Sequence, residues 1–276
     1  MRTLPPVLVL GGTGKTGRRV VQRLAARDLP VRIGSRSGGL PFDWQDPSTW
    51  RPALDGVRAV YVSYHPDLAA PGAAATVGEL AALATACGAR RLVLLSGRGE
   101  PEAERAEKLV RESGADWTVL RCAWFDQNFS EDHLRDAVLA GRIALPAGAV
   151  AEPFVDADDI ADVATAALTD DRHIGELYEV TGPQPLTFDD VAAHLTAATG
   201  RRIDYVPLSA EEFTAELTGA RLPQDLVELL GHLFTTVLDG RNAHLGDGVQ
   251  RALGRAPRGF ADYAERTAAT GIWDAR

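Results

Sequence analysis

Seven residues near the start of the chain, Gly11-Gly12-Thr13-Gly14-Lys15-Thr16-Gly17, have types and spacing that suit phosphate chemistry. Two readings compete. Gly14-Lys15-Thr16 matches the tail of a nucleoside-triphosphate loop, which needs Gly-x4-Gly-Lys-Ser/Thr. Counting back puts Val9, inside an apolar run, where the first glycine of that loop belongs. An acidic strand end to hold magnesium is also hard to find. The alternative is Gly11-x-x-Gly14-x-x-Gly17, a dinucleotide-binding turn. It directly follows an apolar run and opens a segment of helical period, which is the context this motif requires. Gly11 permits the tight turn, Gly14 lets backbone N–H groups approach a pyrophosphate at the positive helix end, and Gly17 permits close helix–strand packing. The dinucleotide reading fits the spacing. Thr13, Lys15 and Thr16 complete the expected contact set.

The tip of the next apolar run selects the dinucleotide. A site for NAD needs an acid about 20 residues past the loop, to bind the ribose 2′-hydroxyl. This chain has Gly34-Ser35-Arg36-Ser37 there, and Asp28 comes too early. Ser35 and Arg36 can hold a 2′-phosphate by charge-assisted hydrogen bonds, with help from Lys15. The competing reading makes Arg36 a solvated surface charge. NADPH is favoured over NADH.

These residues need a scaffold, and the hydrophobic pattern supplies one. Runs of strand length at 6–12, 31–36, 40–44, 57–64, 91–96 and 116–121 alternate with helix-period segments at 14–27, 46–55, 71–87 and 101–113. Strands separated by helices predict a parallel sheet covered on both faces. After residue 121 helices dominate, near 130–140, 156–168, 187–199, 209–219, 223–238, 245–254 and 259–270. Short strands are expected near 142–145, 152–155, 176–181 and 203–207. The predicted fold class is α/β: a Rossmann-type doubly wound parallel sheet with a smaller, mixed, mostly helical C-terminal substrate lobe. The expected division is 1–125 for the dinucleotide-binding domain and 126–276 for the lobe, with 155–182 partly returning to the sheet.

Composition narrows the partners. The chain has 276 residues and a net charge of −9. An acidic chain repels phosphate backbones, so nucleic acid is not expected. Its two cysteines form no CxxC pair, and its six histidines form no HxxxH or HExxH pattern. No disulfide framework and no metal site are expected. No apolar run approaches the roughly 20 residues of a membrane span, and no signal peptide is apparent. The expectation is a cytoplasmic protein with a small-molecule substrate, acting as a monomer or homodimer.

At the level of motifs, the chain resembles the atypical short-chain dehydrogenases/reductases of NmrA-like type. The resemblance covers almost the whole chain. It rests on GGTGKTG, FDWQD (42–46), LLSGRG (94–99), SGADWTVLRCAWFDQNF (113–129), EPFVDADDIADVA (152–164) and LYEVTGPQPLTFDDVA (177–192). The C-terminal segment is similar to bacterial relatives of ergot-alkaloid biosynthesis reductases. The resemblance implies that Asp43 and Trp44 contact the adenine and that Ser63 and Tyr64 line the path from pyrophosphate to nicotinamide. It also implies that Ser96 orients substrate and that Cys122 and Ala123 lie near the nicotinamide. Many relatives have proline where Cys122 stands.

The chain departs from the family in one respect that matters. Typical short-chain dehydrogenases carry Tyr-x-x-x-Lys on the helix after the fifth strand, with Tyr as general acid. That helix here, EPEAERAEKLVRESG, has no Tyr and reads as a solvated, charged face. An already electrophilic substrate such as a quinone, an enone or an imine or iminium needs little acid help. The segment WFDQNF (124–129) offers Trp124, Phe125 and Phe129 as apolar walls and Asp126, Gln127 and Asn128 as polar pins. The competing reading makes its aromatics core and lets Asn128 or Ser130 cap a helix. Ser96, Tyr64 and Asp126 are the catalytic candidates. His65 reads as a loop residue, and Asp156 or Asp158 as a helix cap. Two functions follow: an NAD(P)H-dependent reductase of a small electrophile, of the kind met in secondary metabolism, or a non-catalytic NADP(H)-sensing regulator.

Overall fold

The computed structural model describes residues 4–36, 40–132, 134–220 and 222–274. In chain order the elements are β1 (Val7–Leu10), α1 (Gly17–Ala25), β2 (Val31–Gly34), α2 (Trp50–Leu54), β3 (Ala59–Val62), α3 (Ala73–Ala86), β4 (Arg91–Gly97), α4 (Pro101–Arg111) and β5 (Asp116–Cys122). There follow α5 (Asn128–Glu131), α6 (Leu134–Ala140), β6 (Arg142–Leu145), α7 (Ala157–Thr169), β7 (Glu176–Val180), α8 (Phe188–Thr199) and β8 (Asp204–Pro207). The last are α9 (Ala210–Gly219), α10 (Gln224–His232) with a π-helical extension over Leu233–Val237, α11 (Gly248–Leu253) and α12 (Phe260–Ala268).

The chain forms two compact units. The first comprises Met1–Cys122, Ala157–Val180 and Gly246–Arg255. Its parallel sheet has the order β2-β1-β3-β4-β5-β7. The β1 register sets Val7 against both Val31 and Ala59, which makes β1 central at the reversal of strand order. Strands β1 and β3, VLVL and AVYV, are buried at every position. Continuous apolar runs are what a parallel sheet covered on both faces demands. Leu8, Leu10, Val60, Val62, Leu92 and Leu94 pack under α2, α3 and α4. Helices α1 and α7 pack against each other, and α7 lies against β3, β4 and β5.

The expected strand at 40–44 is a correction. Pro41 makes only an isolated bridge with Ser35, and the sixth strand of the sheet is β7. The apolar character of 40–44 has another cause: Phe42, Trp44 and Trp50 pack together, with Trp44 5.1 Å from Phe42 and 6.1 Å from Trp50. The 3₁₀ turn that follows starts as its sequence implies. Asp46 accepts from the Ser48 amide and Pro47 takes the first helical position.

The second unit comprises Ala123–Asp156, Thr181–Leu245 and Ala256–Arg276. Strands β6 and β8 pair in parallel, Arg142 opposite Asp204. Its core is aromatic: Phe129, Phe154, Phe188, Phe260, Tyr263 and Trp273 are all buried. Capping boxes fix the starts of two helices, Thr187 with Asp190 for α8 and Ser209 with Glu212 for α9. The strand expected at 152–155 reduces to isolated bridges, Glu152 with Leu186 and Phe125 with Val155. Among the described residues, no helix is long and apolar enough to cross a membrane.

Candidate dinucleotide site

The glycine loop joins β1 to α1 at the centre of the sheet. Gly11 takes a left-handed φ of +64°, and its carbonyl accepts from the Gly14 amide at 2.8 Å, which closes the turn. Gly17 lies directly on that turn. A Cβ built on Gly17 would sit 2.7 Å from the Gly11 carbonyl carbon and 2.9 Å from the Gly12 Cα. Tyr61 of β3 donates its hydroxyl to Thr16 Oγ1 at 3.0 Å, and both residues are buried. Burial pushes the Tyr61 phenol well above its ordinary pKa, so it stays a neutral donor. The helix start is therefore pinned by a side-chain bond from the sheet. The half-buried Lys15 and the exposed Thr13 occupy the outer side of the loop.

At the tip of β2, Ser35 is buried and Arg36 is exposed. The Ser35 Oγ has no hydrogen-bond partner among the described residues. A buried hydroxyl left unpaired is costly unless something binds it. Ser37 lies outside the described residues.

The tip of β3 borders the loop from the other side. The Ser63 Oγ would lie 3.5 Å from a Cβ on Gly11. The Ser63 carbonyl accepts the Trp44 indole N–H at 3.3 Å, and the Trp44 ring packs on Tyr64 with centroids 4.9 Å apart. Trp44 is thus largely enclosed, and its placement makes it a brace for Ser63 and Tyr64. The Asp43 carboxylate accepts from the Gln45 amide at 3.0 Å, so it holds the turn, and Asp43 is half-buried. His65 is exposed.

The ends of β4 and β5 carry a buried ion network. Ser96 donates its hydroxyl to Glu107 Oε1 of α4 at 2.7 Å. Arg121 of β5 reaches the same carboxylate through Nε at 2.9 Å and Nη2 at 2.5 Å, and Arg111 through Nη2 at 2.9 Å. Hydrogen bonding to Glu107 raises the Arg121 pKa. The charged face expected for α4 is solvated at Glu104, Arg105, Lys108 and Arg111, and the correction is confined to Glu107, which is 1% exposed and organises both strand ends. The Cys122 thiol is pushed above its ordinary pKa by burial, which makes it a poor nucleophile.

In the second unit, Trp124 is half-buried, 4.7 Å from Phe234, and Phe125 and Asn128 are also half-buried. Asn128 does not cap α5; Gln127 holds that position, without a side-chain bond. Phe129 is fully buried between Phe154 and Phe260, which corrects its expected role as an accessible wall. Asp126 is fully buried as well, out of reach of solvent. Gln127 donates to Asp156 at 2.8 Å, and Arg266 pairs with the other oxygen at 2.6 Å. In the first unit, Asp158 pairs with Arg23 and Asp159 with Arg255. These acids are structural ion pairs rather than a catalytic dyad. Among the described residues, no cluster of three metal-ligating side chains occurs.

The loop, the pinned helix start, the buried Ser35 hydroxyl and the exposed Arg36 fit a dinucleotide carrying an extra phosphate on its adenosine half. No family model matches the chain. It is 33% identical over 282 residues to an uncharacterized oxidoreductase, YesF, of Bacillus subtilis, covering 97% of this chain and 98% of that one. It is 32% identical to an NAD(P)H azoreductase of Xenophilus azovorans (95% and 98% covered) and 32% identical to festuclavine dehydrogenase of Aspergillus fumigatus (94% and 97%). The fold matches a Citrobacter triphenylmethane reductase complexed with NADP(H), with a TM-score of 0.75 at 20% identity over 95% of this chain and 99% of that one. It also matches an NADPH-complexed quinone oxidoreductase of Escherichia coli, with a TM-score of 0.74 at 22% identity over 94% and 99%.

Fold and loop together define a dinucleotide-binding α/β protein of Rossmann type. The chain belongs to the atypical short-chain dehydrogenases/reductases of NmrA-like type, and it is an oxidoreductase of that family.

Proposed function

We propose that the protein is an NADPH-dependent reductase of small conjugated electrophiles such as quinones, enones, imines and azo compounds. The observation that carries this reading is the tip of β2, where a buried Ser35 hydroxyl, unpaired among the described residues, adjoins an exposed guanidinium at Arg36. Reduced dinucleotide supplies a hydride. Gly11, Gly14 and Gly17 let the backbone approach the pyrophosphate, with Thr13, Lys15 and Thr16 around it. Ser35 and Arg36 take the 2′-phosphate, Asp43 borders the adenine half, and Ser63 and Tyr64 continue the path toward β4. Ser96 acts as a positioning residue, since its hydroxyl is committed to Glu107. Cys122, two residues before Trp124, ends β5 next to that network. Relatives named for azo and festuclavine substrates, and fold neighbours named for quinone and triphenylmethane substrates, support this substrate class. Two free cysteines, one of them buried, suit a reducing compartment such as the cytoplasm.

Two measurements test the reading. Arg36→Ala is expected to weaken NADPH binding by about ten- to hundredfold, the worth of a charge-assisted hydrogen bond, while NADH binding changes little. Equal losses for both would remove the 2′-phosphate assignment. A panel of quinones, enones, cyclic imines and azo dyes is expected to contain at least one that oxidises NADPH. Tight NADPH binding without turnover on any of them would favour a sensor.

A further inference from the structure

One carboxyl at the sheet's C-terminal edge is buried, with an oxygen that meets no donor among the described residues. Glu100 follows β4 by three residues and stands at the N-cap of α4, yet its side chain makes no capping bond. Pro101 opens the helix in its place. The side chain folds back on β4, so that a Cβ on Gly97 would lie 2.8 Å from the Glu100 Cδ. A side chain at 97 would displace the Glu100 carboxyl from this position. Glu100 is 8% exposed, and its Oε2 has no hydrogen-bond partner among the described residues.

The sheet order says what this carboxyl faces. A dinucleotide lies across the carboxyl ends of the strands where strand order reverses. The adenosine selectors Ser35 and Arg36 sit at the tip of β2, and the pyrophosphate loop follows β1. The nicotinamide half then extends the other way, over β3 and β4, in the order β2-β1-β3-β4. Glu100 belongs to the loop leaving β4, and the charge acting on it comes from Asp67, in the loop leaving β3.

We propose that Glu100 is the proton donor of this reductase, a buried carboxyl held against Gly97 at the end of β4. The proposal rests on the reductase reading above. The step balances simply. The substrate accepts hydride, with its two electrons, at one atom of a conjugated bond, and negative charge develops at the far end. The Glu100 O–H bond breaks, the proton goes to that anionic atom, and the carboxylate left behind recovers a proton from water. The dinucleotide leaves oxidised. This supplies the acid that the missing Tyr-x-x-x-Lys pair would otherwise provide.

The electrostatics agree. Burial first, then the Asp67 charge, push the Glu100 pKa up to about 8. The other nearby charges are turned elsewhere: Arg98 pairs with Glu179 at 3.2 Å, and Glu102 with Arg105. The group is therefore a loaded acid at neutral pH, and its proton is lost as pH rises through about 8. Because the folded pKa lies above the unfolded value, Glu100 contributes to stability most fully below the ordinary carboxylate range. That contribution declines as pH rises toward about 8.

Glu100→Gln keeps the shape and neutrality of the acid but cannot give up a proton. With a quinone or azo substrate, which must be protonated, kcat is expected to fall about a hundredfold or more. With a cationic iminium, which needs no proton, it is expected to change less than about threefold, a loss too small to be that of an acid. NADPH affinity should hold. Infrared difference spectra of the protein without dinucleotide should show a neutral carboxyl that titrates near pH 8 and is missing from E100Q. Asp67→Asn guards against a folding failure of the first variant. Removing that negative charge should move the alkaline fall in kcat to lower pH. If wild-type protein turns over nothing in the panel, the reductase reading falls and Glu100's role with it. If turnover is present and E100Q matches wild type on quinones, or the carboxyl proves ionised at neutral pH, only the Glu100 proposal is overturned.

Discussion

A Gly17→Ala protein is expected to lose dinucleotide binding almost completely, about a hundredfold or more in Kd, and to melt at a lower temperature. The reason is geometric. The added methyl would fall 2.7 Å from the Gly11 carbonyl carbon and 2.9 Å from the Gly12 Cα. Both are backbone atoms, so no rotamer change relieves the clash. The turn must open or α1 must back away from β1. Overpacking of this kind costs about 1–3 kcal/mol. Displacing a binding group by about 1 Å can cost a hundredfold in function, and on the proposed reading the displaced groups are the loop N–H donors that would hold the pyrophosphate. Gly14→Ala is the internal comparison. Its Cβ would meet only the Gly11 carbonyl oxygen, at 3.2 Å, a contact that a shift of a few tenths of an ångström relieves. Fluorescence titration with NADPH and a thermal melt of both variants read the difference. Unchanged affinity in the Gly17 variant would show that the loop does not hold the pyrophosphate.

The part of the site legible in the sequence is the part made by local spacing. The glycine loop declares itself because β1, the turn and the start of α1 are contiguous, and the β2 tip lies a fixed distance further on. The strands of the sheet read clearly as apolar runs for the same reason. The run at 40–44 misleads because apolar residues mark burial, not strand: Phe42 and Trp44 are buried against Trp50 outside any ladder. The helix at 101–111 misleads in the opposite sense. Most of its charges are solvated, but Glu107 is enclosed by partners from Ser96 and Arg121, 11 and 14 residues away in sequence. Glu100 is hidden in the same run. Only the fold shows that its neighbour Gly97 leaves room for it. In WFDQNF the aromatic pattern is real, yet Phe129 belongs to a core assembled from residues up to 144 positions distant, such as Trp273, whose indole donates to its carbonyl.

Glu107 also offers the sharpest stability test. Glu107→Ala leaves the Arg121 guanidinium without its strongest partner and the buried Ser96 hydroxyl without an acceptor. Breaking a buried pair from one side costs about 3–5 kcal/mol. In a protein of this size, each kcal/mol lowers Tm by about 2–4 °C, so a drop of the order of 10 °C is expected. Arg111, more exposed, loses little, because its ring contact with Trp117 at 5.2 Å persists. Glu107→Gln should retain an acceptor for Ser96 and recover part of the loss. Arg121→Ala added to Glu107→Ala removes the stranded charge, so the double variant should be more stable than the sum of the single losses predicts. A coupling energy of about 1–3 kcal/mol is expected. Strict additivity would mean that the charges at the ends of β4 and β5 are independently solvated.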